Sequence, residues 1–203
     1  MRILLIAATR FEVSPCLMQY PRQPLLITGV GPVNTTYRLT RHLLEQPADV
    51  VVQAGIAGRF EHSPLQLADT CLISHDVLAD AGAYEPPYWH SLHDLGLDEQ
   101  QPWITCHVQP AAHLHLPVVK GATVSTLTTN EAWINSLQLK WKADVESMEG
   151  AAAAYICAQM QIPFVQLRSI SNTVGQRNKA QWKMQEAIEN LNHWLAQLLK
   201  IWQ

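Results

Sequence analysis

The chain has 203 residues, 48% of them hydrophobic and 15% charged. That is enough apolar material for one sizeable core and too little charge for a disordered chain. A net charge of −3, with no long basic run, argues against nucleic acid and anionic membranes as partners.

Ile3 to Ala8 is a continuous apolar run of strand length. MRILLIAAT is too short for a bilayer span and lacks a signal peptide's pattern, so it reads as a buried first strand in a cytoplasmic protein. Thr9-Arg10-Phe11-Glu12 leaves its C-terminal end. Position alone favours Glu12 as a solvated acid in a first helical turn. Its place at a strand end keeps a functional reading open, because ligands of open α/β sheets bind there.

Leu25 to Val30 is a second apolar run, ending in Gly29-Val30-Gly31. A dinucleotide fingerprint needs a third glycine where Asn34 stands, so no Rossmann cofactor site is expected. The two glycines suit close approach of the main chain to a ligand or to a neighbouring helix. Asn34 to Glu45 reads as an amphipathic helix halted before Pro47. Asp49 to Ala54 is a third strand. Gly55-Ile56-Ala57-Gly58 follows it, either as a tight turn or as a loop against which a flat ligand lies.

Leu67 to Leu78 is strand-like. The segment from Asp80 to Pro117 is rich in Pro, His and Trp and predicts loops and an excursion from the main sheet. His90/His93 and His113/His115 lack a third ligand group at a convincing spacing, so no metal is expected. Cys16, Cys71, Cys106 and Cys157 form no CxxC and sit among apolar residues. They read as buried free thiols in a reducing compartment.

Pro117 to Ser125 is another strand, and Thr129 or Asn130 caps a helix running to about Lys142. Ala143 to Glu149 is strand-like, and Gly150 to Gln161 is a helix of small residues. Pro163 to Ile170 is the last clear strand, leading into Ser171 and Asn172. Alone, Asn172 reads as a turn former before Thr173-Val174-Gly175. A polar loop carrying Arg177, Asn178 and Lys179 comes next. Asn178 to Trp202 is a long amphipathic helix with Trp182, Ile188, Leu191, Leu195 and Leu198 on roughly one face. The alternation predicts a single α/β domain over residues 1–203, with a central mixed, twisted sheet flanked by helices.

Four stretches then carry a resemblance: MRILLIAATRFEV, the turns ITGVGPVNT and QAGIAGRF, VESMEGAAAAY, and RSISNTVGQRNKAQW. In these the chain resembles the purine nucleoside phosphorylase and methylthioadenosine nucleosidase superfamily, a three-layer α/β sandwich. Within it, SMEGAA and RSISNTVG most resemble the futalosine hydrolases. The resemblance implies cleavage of the N-glycosidic bond of futalosine by water, releasing hypoxanthine in menaquinone biosynthesis. It also implies a small-molecule substrate, no cofactor, and a homo-oligomer.

Residue by residue, the resemblance gives Glu12 as the acid that activates water. Glu149, with Met148 before it, holds the ribose hydroxyls. Asn172, after Ser171, stands where adenine-specific relatives carry an aspartate. Arg168 matches an arginine of the same strand, and Gly55 and Ile56 fall in the glycine turn beside the substrate. Phosphorolytic members carry an arginine near Gln53, and its absence favours water as the nucleophile. Arg177 or Lys179 would meet the carboxylate of futalosine's 5′ arm; a merely solvated polar loop fits equally well.

The chemistry is consistent with those roles. Bond cleavage builds positive charge on the sugar and negative charge on the departing purine. An asparagine offers one donor and one acceptor in a plane, matching O6 and a protonated N7 of a 6-oxopurine. A mismatched buried polar pair costs roughly 1–3 kcal/mol, so Asn172 points to hypoxanthine over adenine. Asparagine is no proton donor at neutral pH, which leaves water to protonate N7. Two other readings remain: a nucleosidase for methylthioadenosine, adenosylhomocysteine or inosine, and a non-catalytic nucleoside-binding protein.

Overall fold

The structure is a computed structural model and describes residues 1–175 and 178–202. The chain forms, in order, β1 (Ile3–Ala7), α1 (Arg10–Gln19), β2 (Leu25–Ile27), α2 (Pro32–Glu45), β3 (Val50–Arg59) and β4 (Thr70–Leu78). A hairpin of β5 (Gly82–Glu85) and β6 (Tyr88–Ser91) follows, then β7 (Trp103–Thr105), β8 (Val118–Thr123), α3 (Glu131–Trp141) and β9 (Val145–Ser147). The chain ends with α4 (Gly150–Gln159), β10 (Phe164–Thr173) and α5 (Met184–Trp202).

Eight strands form one mixed sheet in the order β10-β4-β8-β9-β3-β1-β2, with β7 paired to β4. β10 also pairs with β3, so β3, β9, β8, β4 and β10 close on themselves. β3 makes that closure possible. Its first half pairs in parallel with β1, and Gly58 and Arg59 pair with β9. Its whole length pairs in parallel with β10.

Strand alternation sorts the core into two layers. Leu4 and Ile6 of β1 pack with Leu39 and Leu43 of α2 and with Ala153 and Cys157 of α4. Ile3, Leu5 and Ala7 pack on the opposite side with Val13 of α1 and Leu191, Leu195 and Leu198 of α5. A strand buried on both faces needs a continuous apolar run, which is what β1 has. A third cluster, with Trp89, Trp141 and Ile134, fixes the hairpin and α3 beyond the closed strands. All four cysteines are buried and free. No helix among the described residues is long and apolar enough to cross a membrane.

The structure corrects three boundaries. Gly55 to Gly58 is not a turn or loop; it lies inside β3, in register with Arg168 to Asn172. β10 runs on to Thr173, so Asn172 is a strand residue, next to a bulge between Ile170 and Asn172. α5 begins at Met184, and Trp182 precedes it, after a short 3-10 turn at Lys179–Gln181. Asn130 does cap α3, its side chain accepting the Trp133 N–H at 3.1 Å. The hairpin β5–β6 is the excursion from the main sheet, whereas β7 returns to it.

Candidate active site

Parallel strands β1, β3 and β10 deliver their C-terminal ends to one side of the sheet, and a cavity of about 350 Å³ opens there. Glu12, Ile56, Met148, Glu149, Ser171 and Asn172 all line it. Residues from four separate segments are thus brought together by topology alone.

Glu12 enters from the first turn of α1 and is 7% exposed. Its Oε2 accepts the Thr9 N–H and the Thr9 hydroxyl, both at 2.9 Å. Its Oε1 accepts the Ile56 N–H at 3.1 Å. Three donors, two on Thr9 just past β1 and one on Ile56 inside β3, therefore aim the carboxylate. Each carboxylate oxygen offers two acceptor sites, so Oε1 keeps one for a further donor.

Glu149 stands at the N-cap position of α4, and instead of capping the helix its side chain turns Oε1 toward Gly31, whose N–H donates at 3.1 Å. The glycine turn before α2 thus meets a side chain of the neighbouring helix. Arg168 stands behind Glu149, its Nη2 3.6 Å from Oε2. The same guanidinium donates to the Ser147 hydroxyl at 3.3 Å and to the Ile56 carbonyl at 3.4 Å. Burial raises the Glu149 carboxyl above its ordinary range; Arg168 and the Gly31 N–H oppose that, and the Glu12 charge adds to it.

Arg168 is 1% exposed and does not line the cavity. It touches the residues that do. Gly55 likewise sits behind the wall: a Cβ there would lie 2.5 Å from Arg168 Nη1 and 3.0 Å from Glu12 Oε1. The glycine is needed because two polar side chains cross its main chain. Gln53, two residues earlier in β3, is buried and outside the lining, with no partner for its amide among the described residues.

Asn172 is half-buried at the bulge of β10. Its Oδ1 accepts the Ser171 hydroxyl at 2.8 Å and its Nδ2 donates to the Thr173 carbonyl at 3.0 Å. Those bonds use one of two lone pairs and one of two N–H groups, leaving one of each. The Ser171 hydroxyl also lies 3.2 Å from the Ala57 carbonyl, so its one hydrogen is shared between that oxygen and Asn172 Oδ1, tying the bulge to β3. Arg177 lies outside the described residues.

The family model described as the Phosphorylase superfamily matches residues 20–202. The chain belongs to that superfamily. Futalosine hydrolase of Thermus thermophilus is 30% identical over 86% of this chain and 80% of its own length. A 5'-methylthioadenosine/S-adenosylhomocysteine nucleosidase of Bacillus cereus is 29% identical over 83% of this chain and 77% of its own. The crystal structure of futalosine hydrolase from Helicobacter pylori superposes with a TM-score of 0.81, covering 98% of this chain and 97% of that one at 18% identity. That last likeness is one of fold.

This phosphorylase-superfamily member holds further cavity residues that sequence reasoning did not single out: Phe11, Glu146, Leu127, Thr128, Val174 and Trp182. Leu127 and Thr128 come from the loop before α3, and nothing in their sequence marks them. Trp182 was assigned to an apolar helix face. Glu146 had a visible signal, since it lies three residues before Glu149 in the same acidic segment. It is 9% exposed. Burial first, then the nearby Asp80 charge, pushes its carboxyl up to about 7.

Proposed function

We propose that this chain is a futalosine hydrolase: it cleaves the N-glycosidic bond of futalosine with water, releasing hypoxanthine. The observation that carries the reading is the convergence of Glu12, Glu149 and Asn172 on one cavity at the strand ends. Two acids and an amide answer the three demands of the reaction.

Glu12 takes a proton from the attacking water, using the acceptor site that Ile56 leaves open on Oε1. Glu149 accepts hydrogen bonds from the ribose hydroxyls, fixing the ring and setting negative charge near the developing cation. Met148 covers the sugar. Arg168 positions Glu149 from behind and touches no substrate. Asn172, steadied by Ser171, donates to O6 of a 6-oxopurine and accepts from its protonated imidazole edge. Three of the matching relatives are futalosine hydrolases, 27–31% identical, and the Asn172 amide favours futalosine over methylthioadenosine as well.

Arg177 meets the carboxylate of the 5′ arm in this reading, as a fork that matches it bidentately. The reaction serves menaquinone biosynthesis in the cytoplasm, and the chain works as a homo-oligomer.

The test is base release without phosphate, from futalosine, inosine and methylthioadenosine, followed by chromatography. Hypoxanthine from futalosine is the expected result. Adenine from methylthioadenosine makes the chain an adenine nucleosidase instead. No base from any of the three, with binding retained, makes it a binding protein.

A further inference from the structure

We propose that Glu146 is the proton donor to the departing purine. The inference rests on the nucleosidase reading and supplies what that reading lacks, because an asparagine cannot protonate a leaving base at neutral pH.

The sheet register brings Glu146 there. Asn172 of β10 pairs with Gly58 of β3, and Gly58 pairs with Glu146 of β9. The three residues form one row across three strands, and residues in such a row face the same side of the sheet. Gly58 is the middle member and has no side chain. A Cβ there would meet Asn172 Nδ2 at 3.2 Å and Val174 Cγ2 at 3.1 Å, so the glycine keeps a slot open. Strands lie about 4.8 Å apart, so Asn172 and Glu146 stand about 10 Å from each other across that slot. Both line the same cavity, with Leu127 and Val174 also on its wall. A flat bicyclic base fits between an amide and a carboxyl set this way.

The environment of Glu146 suits a donor. Burial, then the charge of Asp80, raises its pKa, and among the described residues no hydrogen bond or cation stabilises its ionised form. A buried carboxyl with no partner is costly unless it holds its proton or finds a ligand. Asp80 is itself engaged, accepting the Ser125 and Thr126 N–H groups. Glu12 and Glu149 are the other acids of the cavity, and both are occupied by donors near the sugar.

The step balances. The electron pair of the C1′–N9 bond stays with the purine. The lone pair of N3, on the edge that faces Glu146 and opposite the O6 edge held by Asn172, takes the proton of the Glu146 carboxyl. Water adds through oxygen to C1′ and leaves its proton on Glu12. Exchange with solvent returns Glu12 to the carboxylate and Glu146 to the acid.

The experiment compares wild type, Glu146→Gln and Glu146→Asp on futalosine and on substrates whose leaving group needs no proton, N7-methylfutalosine and 4-nitrophenyl riboside. Glu146→Gln is expected to lower kcat on futalosine about 100-fold or more, with KM changed only a few-fold. Glu146→Asp retains part of the rate. On whichever proton-independent substrate wild type turns over, Glu146→Gln keeps nearly the full rate. An equal loss on both substrate types means a structural role and overturns the proposal, as does an unchanged kcat on futalosine. The alkaline fall of wild-type kcat gives a second readout, and its persistence in Glu146→Gln also overturns it. If wild type releases no base from any nucleoside, the nucleosidase reading falls and takes this inference with it; the other failures leave that reading standing.

Discussion

Asn192 of α5 grips the main chain of Glu12. Its Nδ2 donates to the Glu12 carbonyl at 2.7 Å, while its Oδ1 accepts the Cys16 N–H at 2.9 Å. The contact crosses 180 residues of sequence and lies in the buried seam between α1 and α5. Pro15 explains why the contact is needed. It sits inside α1, has no N–H to give, and crowds the preceding turn, so the helix that presents Glu12 is weak by itself. The last helix therefore sets the position of the first acid of the site.

Asn192→Ala is expected to lower both stability and turnover. The Cys16 N–H loses its partner in a buried setting, which costs about 1–3 kcal/mol. Urea unfolding measures that loss. Base-release kinetics on the folded variant are expected to show a lower kcat, because Glu12 is no longer held against Thr9 and Ile56. A variant that is destabilised yet keeps full kcat would separate the seam from the site.

Gly55→Ala is expected to damage activity more than stability. The added methyl would stand 2.5 Å from Arg168 Nη1 and 3.0 Å from Glu12 Oε1. A long side chain end can usually move aside, but Arg168 is fully buried and already bonded to Ser147 and Ile56. The guanidinium must shift, and Glu149 shifts with it. Misplacement by about 1 Å costs on the order of 100-fold in rate. Steady-state kinetics beside a thermal melt check the ratio of the two effects.

These same small residues show where sequence reading succeeded and where it stopped. β1 was legible because a strand covered on both faces must be apolar throughout, and Ile3 to Ala7 is. The cap at Asn130 was legible because its chemistry is local. Gly55 to Gly58 was misread because a glycine that admits a crossing side chain looks, in one dimension, like a glycine that turns the chain. Arg168 and Asn172, which require that space, lie more than 110 residues further on. Glu12, Glu149 and Asn172 could be picked out through the family resemblance, whereas their convergence needed the fold. Glu146 stood in plain view beside Glu149, but only the pairing of β9 with Gly58 gives it a direction. The start of α5 was placed too early because Trp182 continues the apolar pattern without continuing the helix.

Asp76 predicts a pH dependence of stability. It is fully buried in β4, where its Oδ1 accepts the Thr123 hydroxyl and its Oδ2 the Gln166 amide. Burial outweighs those bonds and pushes its carboxyl from 3.8 up to about 6. The unfolded chain releases this proton near the ordinary value, so between about pH 4 and 6 the folded state binds more protons than the unfolded state. Stability contributed by this group is full below that window and falls as pH rises through it, by about 2–3 kcal/mol. Glu146, raised to about 7, acts with the same sign and extends the fall upward. Urea unfolding from pH 4 to 8 is expected to show Asp76→Asn gaining on wild type as pH rises. A constant difference across that range would mean that Asp76 ionises normally in the fold.

Asn172→Asp tests the reading of the base most directly. The Ser171 hydroxyl can still donate to a carboxylate, so the bulge keeps one of its two ties. The bond to the Thr173 carbonyl is lost, because that acceptor would face another acceptor. Toward a 6-oxopurine the change replaces the donor aimed at O6 by a like-polarity oxygen. Toward adenine, whose amino group donates, the same oxygen is a match. A mismatch of this kind is worth about 1–3 kcal/mol, or roughly tenfold to a hundredfold. The expected outcome is a fall in kcat/KM for futalosine and a rise in the ratio of methylthioadenosine to futalosine cleavage by at least about tenfold. Base release from the two nucleosides, measured in parallel, reads that ratio. An unchanged ratio with overall activity retained would show that the side chain at this position does not contact the base edge that distinguishes the two purines.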